Sequence, residues 1–195
     1  MAETSASLLQ RVCDRSDQDA WRRLEAIYSP LIRGWLRRDA MLDSNNADDI
    51  VQDVMAVLVR RIEEFERQRS GSFRAWLKSI TLNCLRQSLR KQKHSGRDAG
   101  DNGVTDLLNN LEDPNSALSD LWNREHDEHV MKQILQTLQS EFTETTWKAF
   151  ELMALEGRSA QETADLLSIS SNAVFIAKSR VMGRLRAEAD GLIDD

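Results

Sequence analysis

The stretch GSFRAWLKSITLN, residues 71–83, decides the fold class of this chain. Its apolar side chains recur at steps of three and four residues, which is the spacing of one face of an α-helix. The pattern continues for a further turn. The residues of this face are Phe73, Trp76, Leu77, Ile80, Cys84 and Leu85. The spacing predicts a helix that packs an apolar stripe into a core.

Two segments upstream have the same period. The first contains Trp21, Leu24, Ile27, Tyr28, Leu31, Ile32 and Trp35, and the second contains Ile50, Val51, Val54, Leu58 and Ile62. Asn46 is the expected N-cap of the second helix, with Asp48 and Asp49 in its first turn, where the helix dipole favours acids. Since the chain has only two prolines and eight glycines, we predict an all-α protein.

The helical pattern breaks between residues 95 and 124. Three of the eight glycines, Gly96, Gly100 and Gly103, lie here, followed by Pro114 and several acids. This composition predicts a flexible acidic linker, with a short helical turn near residues 107–111. We therefore expect two small helical domains, at residues 1–94 and 125–195, on either side of a linker at residues 95–124.

The second domain has the pattern of a helix-turn-helix. Val130, Ile134, Leu135 and Leu138 mark its first helix. SAQE, residues 159–162, has the form of a capping box and begins a short helix that runs to Leu167. The break at residues 168–170 then leads into a last helix from about Ser171, which is the order of elements in a helix-turn-helix.

Charge is distributed unevenly along the chain. The net charge is −6, yet residues 1–95 carry 17 basic and 13 acidic side chains, against 9 and 19 in residues 96–195. From Arg67 to Arg97 there is no acidic residue, and nine basic ones occur. Arg74, Lys78, Arg86 and Arg90 are expected to point away from the apolar stripe of their helix. Such a cationic face suits a phosphate backbone, although a basic face that serves solubility is the alternative.

The last helix gives a weaker signal of the same kind. Val174, Ala177, Val181 and Leu185 are expected to face inward. The opposite face would then present polar, cationic and apolar groups that can read the edges of bases. Its residues are Asn172, Phe175, Ile176, Ser179 and Arg180, with Lys178, Arg184 and Arg186 beside them. The alternative is that Phe175 and Ile176 are core residues and the helix only packs.

Several function classes are not supported. Cys13 and Cys84 lie far apart without a CxxC partner, so neither a disulfide framework nor a zinc site is indicated. His126 and His129, with acids between them, are a weak candidate metal pair. The third histidine, His94, lies in the basic segment and no cysteine is nearby, so we predict no metal and no cofactor. Catalytic sequence motifs are missing, and the chain is not expected to be an enzyme. With no secretory pattern and no membrane-spanning apolar run, a cytoplasmic protein is expected.

At this point two motifs resemble a known family. DDIVQDV, residues 48–54, is similar to the second conserved region of extracytoplasmic-function sigma factors, members of the sigma-70 superfamily. Residues 71–83 resemble the promoter-melting region of the same proteins, with its F-x-x-W-L-x-x-I-x-x-N pattern. Both motifs occur at this spacing, ahead of a C-terminal helix-turn-helix. The resemblance covers nearly all of residues 5–190 apart from the linker.

The resemblance implies a non-catalytic protein that binds core RNA polymerase and selects promoters. Docking on the clamp helices of the polymerase β′ subunit would use Asp48, Asp49, Gln52 and Asp53. The −10 element would be held, with one base flipped out, by Phe65, Arg67, Arg69, Ser70, Gly71, Ser72, Arg74, Lys78, Asn83, Arg86, Arg90 and Lys91. The −35 element would be read by Ser171, Asn172, Ala173, Phe175, Ile176, Lys178, Ser179 and Arg180.

The match is not perfect. The loop at residues 65–72 is rich in arginine, where other members are often more polar, and residues 158–164 match the family loosely. The factor is expected to be a monomer when free and to be regulated from outside, for example by an anti-sigma partner. Two rivals remain open. A stand-alone repressor or activator leaves the basic first domain unexplained, and a helical scaffold leaves both basic helices unexplained.

Overall fold

The computed structural model describes residues 7–40, 42–65, 72–94 and 101–193. The regular elements in these ranges are helices, as predicted. In chain order they are α1 (Leu8–Val12), α2 (Gln18–Arg38), α3 (Ser44–Arg61), α4 (Ser72–His94), α5 (Asp101–Glu112), α6 (Ala117–Gln139), α7 (Glu144–Phe150), α8 (Ala160–Leu167) and α9 (Ser171–Ala189). A 3₁₀ turn, Ile62–Glu64, follows α3, and a π turn, Glu151–Leu155, follows α7.

The helices form two compact units. The first unit is essentially Leu8–Val130 and the second Met131–Asp190. In the first unit, α2, α3 and α4 share a core of aliphatic and aromatic side chains, most of which the period of the sequence had placed there. Fully buried members are Leu24, Tyr28, Ile32, Leu36, Ile50, Leu58, Phe73, Leu77 and Leu85. Trp21, Leu31 and Trp76 are only partly buried.

The start of α3 differs from the prediction. The N-cap is Asp43, whose side chain accepts a hydrogen bond from the backbone N–H of Asn46 at 2.9 Å, so Asn46 lies inside the helix and is not the cap. Asp48 and Asp49 consequently lie in the second turn. The aspartate three residues upstream supplies a charged acceptor for the free N–H groups, which explains why the helix begins earlier.

Residues 101–130 were expected to be mostly linker, and the structure places them largely in α5 and the first part of α6. Leu108, Leu111, Ser119, Trp122 and His126 are buried within the first unit. The indole of Trp122 packs edge-on against that of Trp35, with ring centroids 5.1 Å apart. Burial of these apolar side chains stabilises the helices even though the composition of the segment is typical of a linker.

The second unit is built on small side chains. Ala149, Ala164, Val174 and Ala177 form its buried centre, with Ile169 packed against it. Because alanine adds little bulk, α7, α8 and α9 can approach one another closely. The predicted capping box is confirmed: Ser159 Oγ accepts from the N–H of Glu162, and a carboxylate oxygen of Glu162 accepts from the N–H of Ser159 at 2.9 Å.

Candidate nucleic-acid interface

The predicted cations of α4 lie beside acidic and polar residues of α5 and α6. Nη1 of Arg74 is 2.6 Å from Oδ2 of Asp127. The ammonium group of Lys78 donates to the hydroxyl oxygen of Ser119, and Arg86 forms an ion pair with Glu112. Arg90 and Lys91, at the C-terminal end of the same helix, are exposed. The residues predicted to bind −10 DNA therefore include three whose charged groups already have partners within the first unit.

A polar groove lies between α3 and α4. Asn83, Arg86, Arg90 and Lys91, all predicted DNA-binding residues, line it together with Asp53, Arg60 and Arg61. The two α3 arginines were missed by the sequence analysis. A signal was available, because both lie in the last turn of α3, where basic residues complement the helix dipole. With five cationic side chains and one acid, the groove favours an anionic ligand such as a phosphate backbone.

Phe65 anchors the entry to α4. Its ring centroid lies 5.0 Å from that of Trp76 and 5.5 Å from that of Phe73, which in turn packs on Tyr28. The structure thus brings the first residue of the predicted base-capturing loop into an aromatic cluster. Residues 66–71 lie outside the described ranges, so the predictions for Arg67, Arg69, Ser70 and Gly71 are not addressed. Ser72 begins α4.

The acidic face of α3 divides into two parts. Oδ1 of Asp48 lies 2.5 Å from Nε of Arg33 on α2. This ion pair within the unit partly neutralises the Asp48 carboxylate. Asp49, Gln52 and Asp53 are exposed. Among them, Asp53 also faces the cationic groove. Asp49 and Gln52 are therefore the residues of this set that are most available to another protein.

The second unit contains a short helix, a three-residue turn and a longer helix at the predicted positions. Ser168 ends α8 in the left-handed conformation, with φ at 54°, and reverses the chain. The side chain of Ser170 then caps α9 by accepting a hydrogen bond from the N–H of Ala173 at 3.1 Å. Ile169, between the two serines, packs against the centre of the unit. This turn fixes the direction in which α9 leaves the core.

The outer face of α9 is the one that the sequence predicted. Val174, Ala177, Val181 and Leu185 are buried. Phe175 and Ile176 are 53% and 51% exposed, which excludes the alternative that both are core residues of the unit. The other exposed members of this face are Asn172, Ser179 and Arg180, while Ser171, Ala173 and Lys178 are half-buried. Apolar and polar groups thus alternate at the start of a capped helix.

Burial and neighbouring charges alter two groups at the contact between α4 and α6. Burial lowers the pKa of Lys78, and the nearby charge of Arg74 lowers it further, whereas Asp120 acts in the opposite direction. Burial alone would raise the pKa of Asp127, but hydrogen bonds from His126 and Arg74 outweigh it and hold the pKa below its ordinary value. Asp127 is therefore a carboxylate at neutral pH.

The two histidines of α6 contact protein groups. Nδ1 of His126 lies 2.9 Å from Oδ1 of Asp127, and Nε2 of His129 lies 2.7 Å from the backbone oxygen of Ile27. Both side chains thus fix α6 against the rest of the first unit. Within the described ranges, no group of three or more potential metal ligands occurs. The helices described there include none that is long and apolar enough to cross a membrane.

Comparison with known proteins gives two matches. Residues 26–95 match the family described as sigma-70 region 2, a range that begins in α2 and includes α3 and α4. The chain is also similar to the RNA polymerase sigma factor CarQ of Myxococcus xanthus. The two are 28% identical over 172 residues, which is 87% of this chain and 88% of the relative. The match to region 2 thus coincides with the helices that carry the cationic groove.

Proposed function

We propose that this chain is an RNA polymerase sigma factor of the extracytoplasmic-function type, within the sigma-70 family, and that it directs promoter-specific initiation by core RNA polymerase. The single observation that carries the proposal is the cationic side of α4. Its arginines and lysines lie inside the residues that match region 2 and beside a groove with five cationic side chains. The protein acts by binding, without catalysing a reaction, in the cytoplasm where the polymerase works.

The first unit is proposed to bind the −10 element. Lys78, Arg86 and Arg90 supply the cations that follow a single strand, and Asn83 is exposed beside them. A strand-binding surface needs such a cationic track together with a site for an unstacked base. The aromatic cluster of Phe65, Phe73 and Trp76 supports that role because it fixes where the preceding loop begins and where α4 starts.

The exposed part of the α3 face is proposed to dock on the β′ clamp helices of the polymerase. Asp49 and Gln52 lie one helical turn apart, and Val59, further along the helix, is 44% exposed. The acidic charge of this face disfavours a phosphate backbone and suits a protein partner instead. Asp48 contributes chiefly through Arg33, which it holds in place on α2.

The second unit is proposed to enter the major groove at the −35 element through α9, with α8 and α9 as its helix-turn-helix. Asn172 is exposed at the start of this helix, and no acid lies in its first turn. Phe175 and Ile176 present apolar surface that fits a thymine methyl, and Arg180 can read a guanine edge or contact a phosphate. Monomeric behaviour in the free state and control by an anti-sigma partner remain predictions.

Reconstitution with bacterial core polymerase tests the proposal. The purified full-length chain should co-elute with the core enzyme on gel filtration and support transcription from a specific subset of promoters in a genomic library. Sequencing the 5′ ends of those transcripts should reveal common −10 and −35 sequences. A chain that binds palindromic duplex DNA as a dimer and ignores the core enzyme would instead be a stand-alone regulator.

A further inference from the structure

The three polar contacts along α4 come from one continuous segment. We call residues 101–130, which comprise α5 and the first part of α6, the cover segment. Glu112 contacts Arg86, Ser119 contacts Lys78, and Asp127 contacts Arg74. Since a helix rises about 1.5 Å per residue, the distance along α4 from Arg74 to Arg86 is about 18 Å. The cover segment therefore follows the same cations that a bound strand would follow.

The cover segment has the charge of a polyanion. It contains eight acidic residues and one arginine. Glu112 and Asp127, which touch the cations directly, stand for two phosphates in their charge and in their oxygen acceptors. A nucleic-acid strand bound along α4 would need the same guanidinium groups.

We propose that the cover segment is an autoinhibitory element, which occupies Arg74, Lys78 and Arg86 in the free factor and must leave them before single-stranded DNA can bind. This inference rests on the proposed function, because it concerns the regulation of the same surface. The cover segment is part of the first unit in the free protein, so inhibition does not require a second protein.

Part of the packing beneath the cover segment is unfavourable. The buried Trp122 Nε1 and Tyr28 Oη have no hydrogen-bond partner among the described residues. Unpaired buried polar groups weaken an interface, because water would satisfy them on opening. Burial also lowers the pKa of Lys78, so that lysine gains solvation when the segment leaves. Against these costs stand the Trp35–Trp122 contact and the burial of Leu108 and Leu111.

A pair of variants with equal charge tests the proposal. The contact variant Glu112→Gln/Asp127→Asn removes the two acids that touch α4. The control variant Asp106→Asn/Glu128→Gln removes two exposed acids of the same segment. Binding of a labelled single-stranded oligonucleotide of mixed sequence to each full-length protein is measured by fluorescence anisotropy. Because the contact variant frees Arg74 and Arg86 from their acidic partners, it should bind about fivefold tighter than the wild type, whereas the control variant should bind nearly as the wild type.

Equal affinities for the contact and control variants would overturn the proposal, since only net charge would then matter. Hydrogen exchange of the wild type provides a second measurement that needs no substitution. Saturation with the oligonucleotide should speed exchange in residues 117–130 and leave α3 unchanged. Unchanged or slower exchange in the cover segment of the DNA-bound protein would equally overturn it.

The proposed function and the cover can fail separately. Suppose that the wild type and both variants support promoter-specific transcription with core polymerase and bind the oligonucleotide with equal affinity. Autoinhibition by the cover segment is then wrong, and the proposed function is supported. If none of the three proteins binds core polymerase but the contact variant binds DNA more tightly, autoinhibition by the cover segment is supported and the function as a sigma factor is wrong.

Discussion

Arg74 and Asp127 lie 53 residues apart in the sequence and 2.6 Å apart between Nη1 and Oδ2. Their side chains are 16% and 32% exposed, so this ion pair is better shielded than most others in the described residues. It joins the start of the basic helix to the acidic segment that follows it. The charge asymmetry that the sequence shows between its two halves is thus partly cancelled inside the first unit.

We expect the Arg74–Asp127 pair to make stability depend on pH only in acid. The folded-state pKa of Asp127 is lowered, so its contribution is complete above the ordinary aspartate value of about 3.9 and is lost as pH falls through the folded value. At pH 7, Asp127→Asn should lower the free energy of unfolding by about 1 kcal/mol. The difference from the wild type should begin to shrink as the pH falls below about 4.

Urea denaturation at several pH values measures this difference. Glu128→Gln, at the exposed neighbouring position, is the matched control and should follow the wild type throughout. A difference between Asp127→Asn and the wild type that stays constant down to pH 3 would show that the carboxylate charge does not contribute.

Much of the first unit could be predicted because its buried positions are apolar and regularly spaced. The first part of α6 could not. Its buried positions are Ser119, Trp122, His126 and Val130, at helical steps of three and four, but two of them are polar. Nearby glycines and Pro114 favoured a linker, whereas tertiary burial favoured a helix.

The candidate site likewise contains residues that could be predicted from the sequence and residues that could not. Arg74, Lys78 and Arg86 could be found from the absence of acids around them, which is a local property of the sequence. Their partners could not, since the pairing of Arg86 with Glu112 depends on how two distant segments pack. Ion pairs of this kind leave no periodic signal.

Docking to polymerase should depend on the exposed charges of α3. Asp49→Arg/Asp53→Arg reverses two exposed charges without removing a buried contact, so helicity should be retained while co-elution with core polymerase is lost. The matched control is Asp19→Arg/Glu25→Arg, which reverses two exposed charges on α2. Wild-type co-elution by the folded α3 variant would assign the docking surface to another face.

Two arginines of α9 should behave differently. Arg180 is exposed, whereas Arg184 lies 2.9 Å from a carboxylate oxygen of Glu141 and 2.5 Å from one of Glu188. Arg180→Ala should cost about 1–3 kcal/mol in −35 binding and relax the preference at one base pair. Arg184→Ala should lower the stability of the second unit and leave base preference unchanged.

Holoenzyme binding to a library of −35 variants distinguishes the two effects. A loss of affinity that is uniform over all sequences would make Arg180 a phosphate contact. A change in base preference on replacing Arg184 would mean that its pairs with Glu141 and Glu188 break when DNA binds.

Lys78 and Arg86 should determine how strongly the holoenzyme depends on salt, because phosphate contacts release counterions. Each such contact to a single strand contributes about 0.7 to the slope of log affinity against log salt concentration. In full-length protein bound to core polymerase, Lys78→Ala/Arg86→Ala should weaken binding of the non-template −10 strand for every sequence and flatten that slope by about 1.4. Substitutions in residues 66–71 should instead change which base is preferred.

The same measurement on Arg22→Ala/Arg37→Ala, two exposed arginines of α2, controls for net charge. An unchanged slope for the α4 variant would move the strand away from α4. A preference of the wild-type holoenzyme for duplex over single strand would contradict a role in melting, because a surface that captures unstacked bases gains its contacts only from an open strand.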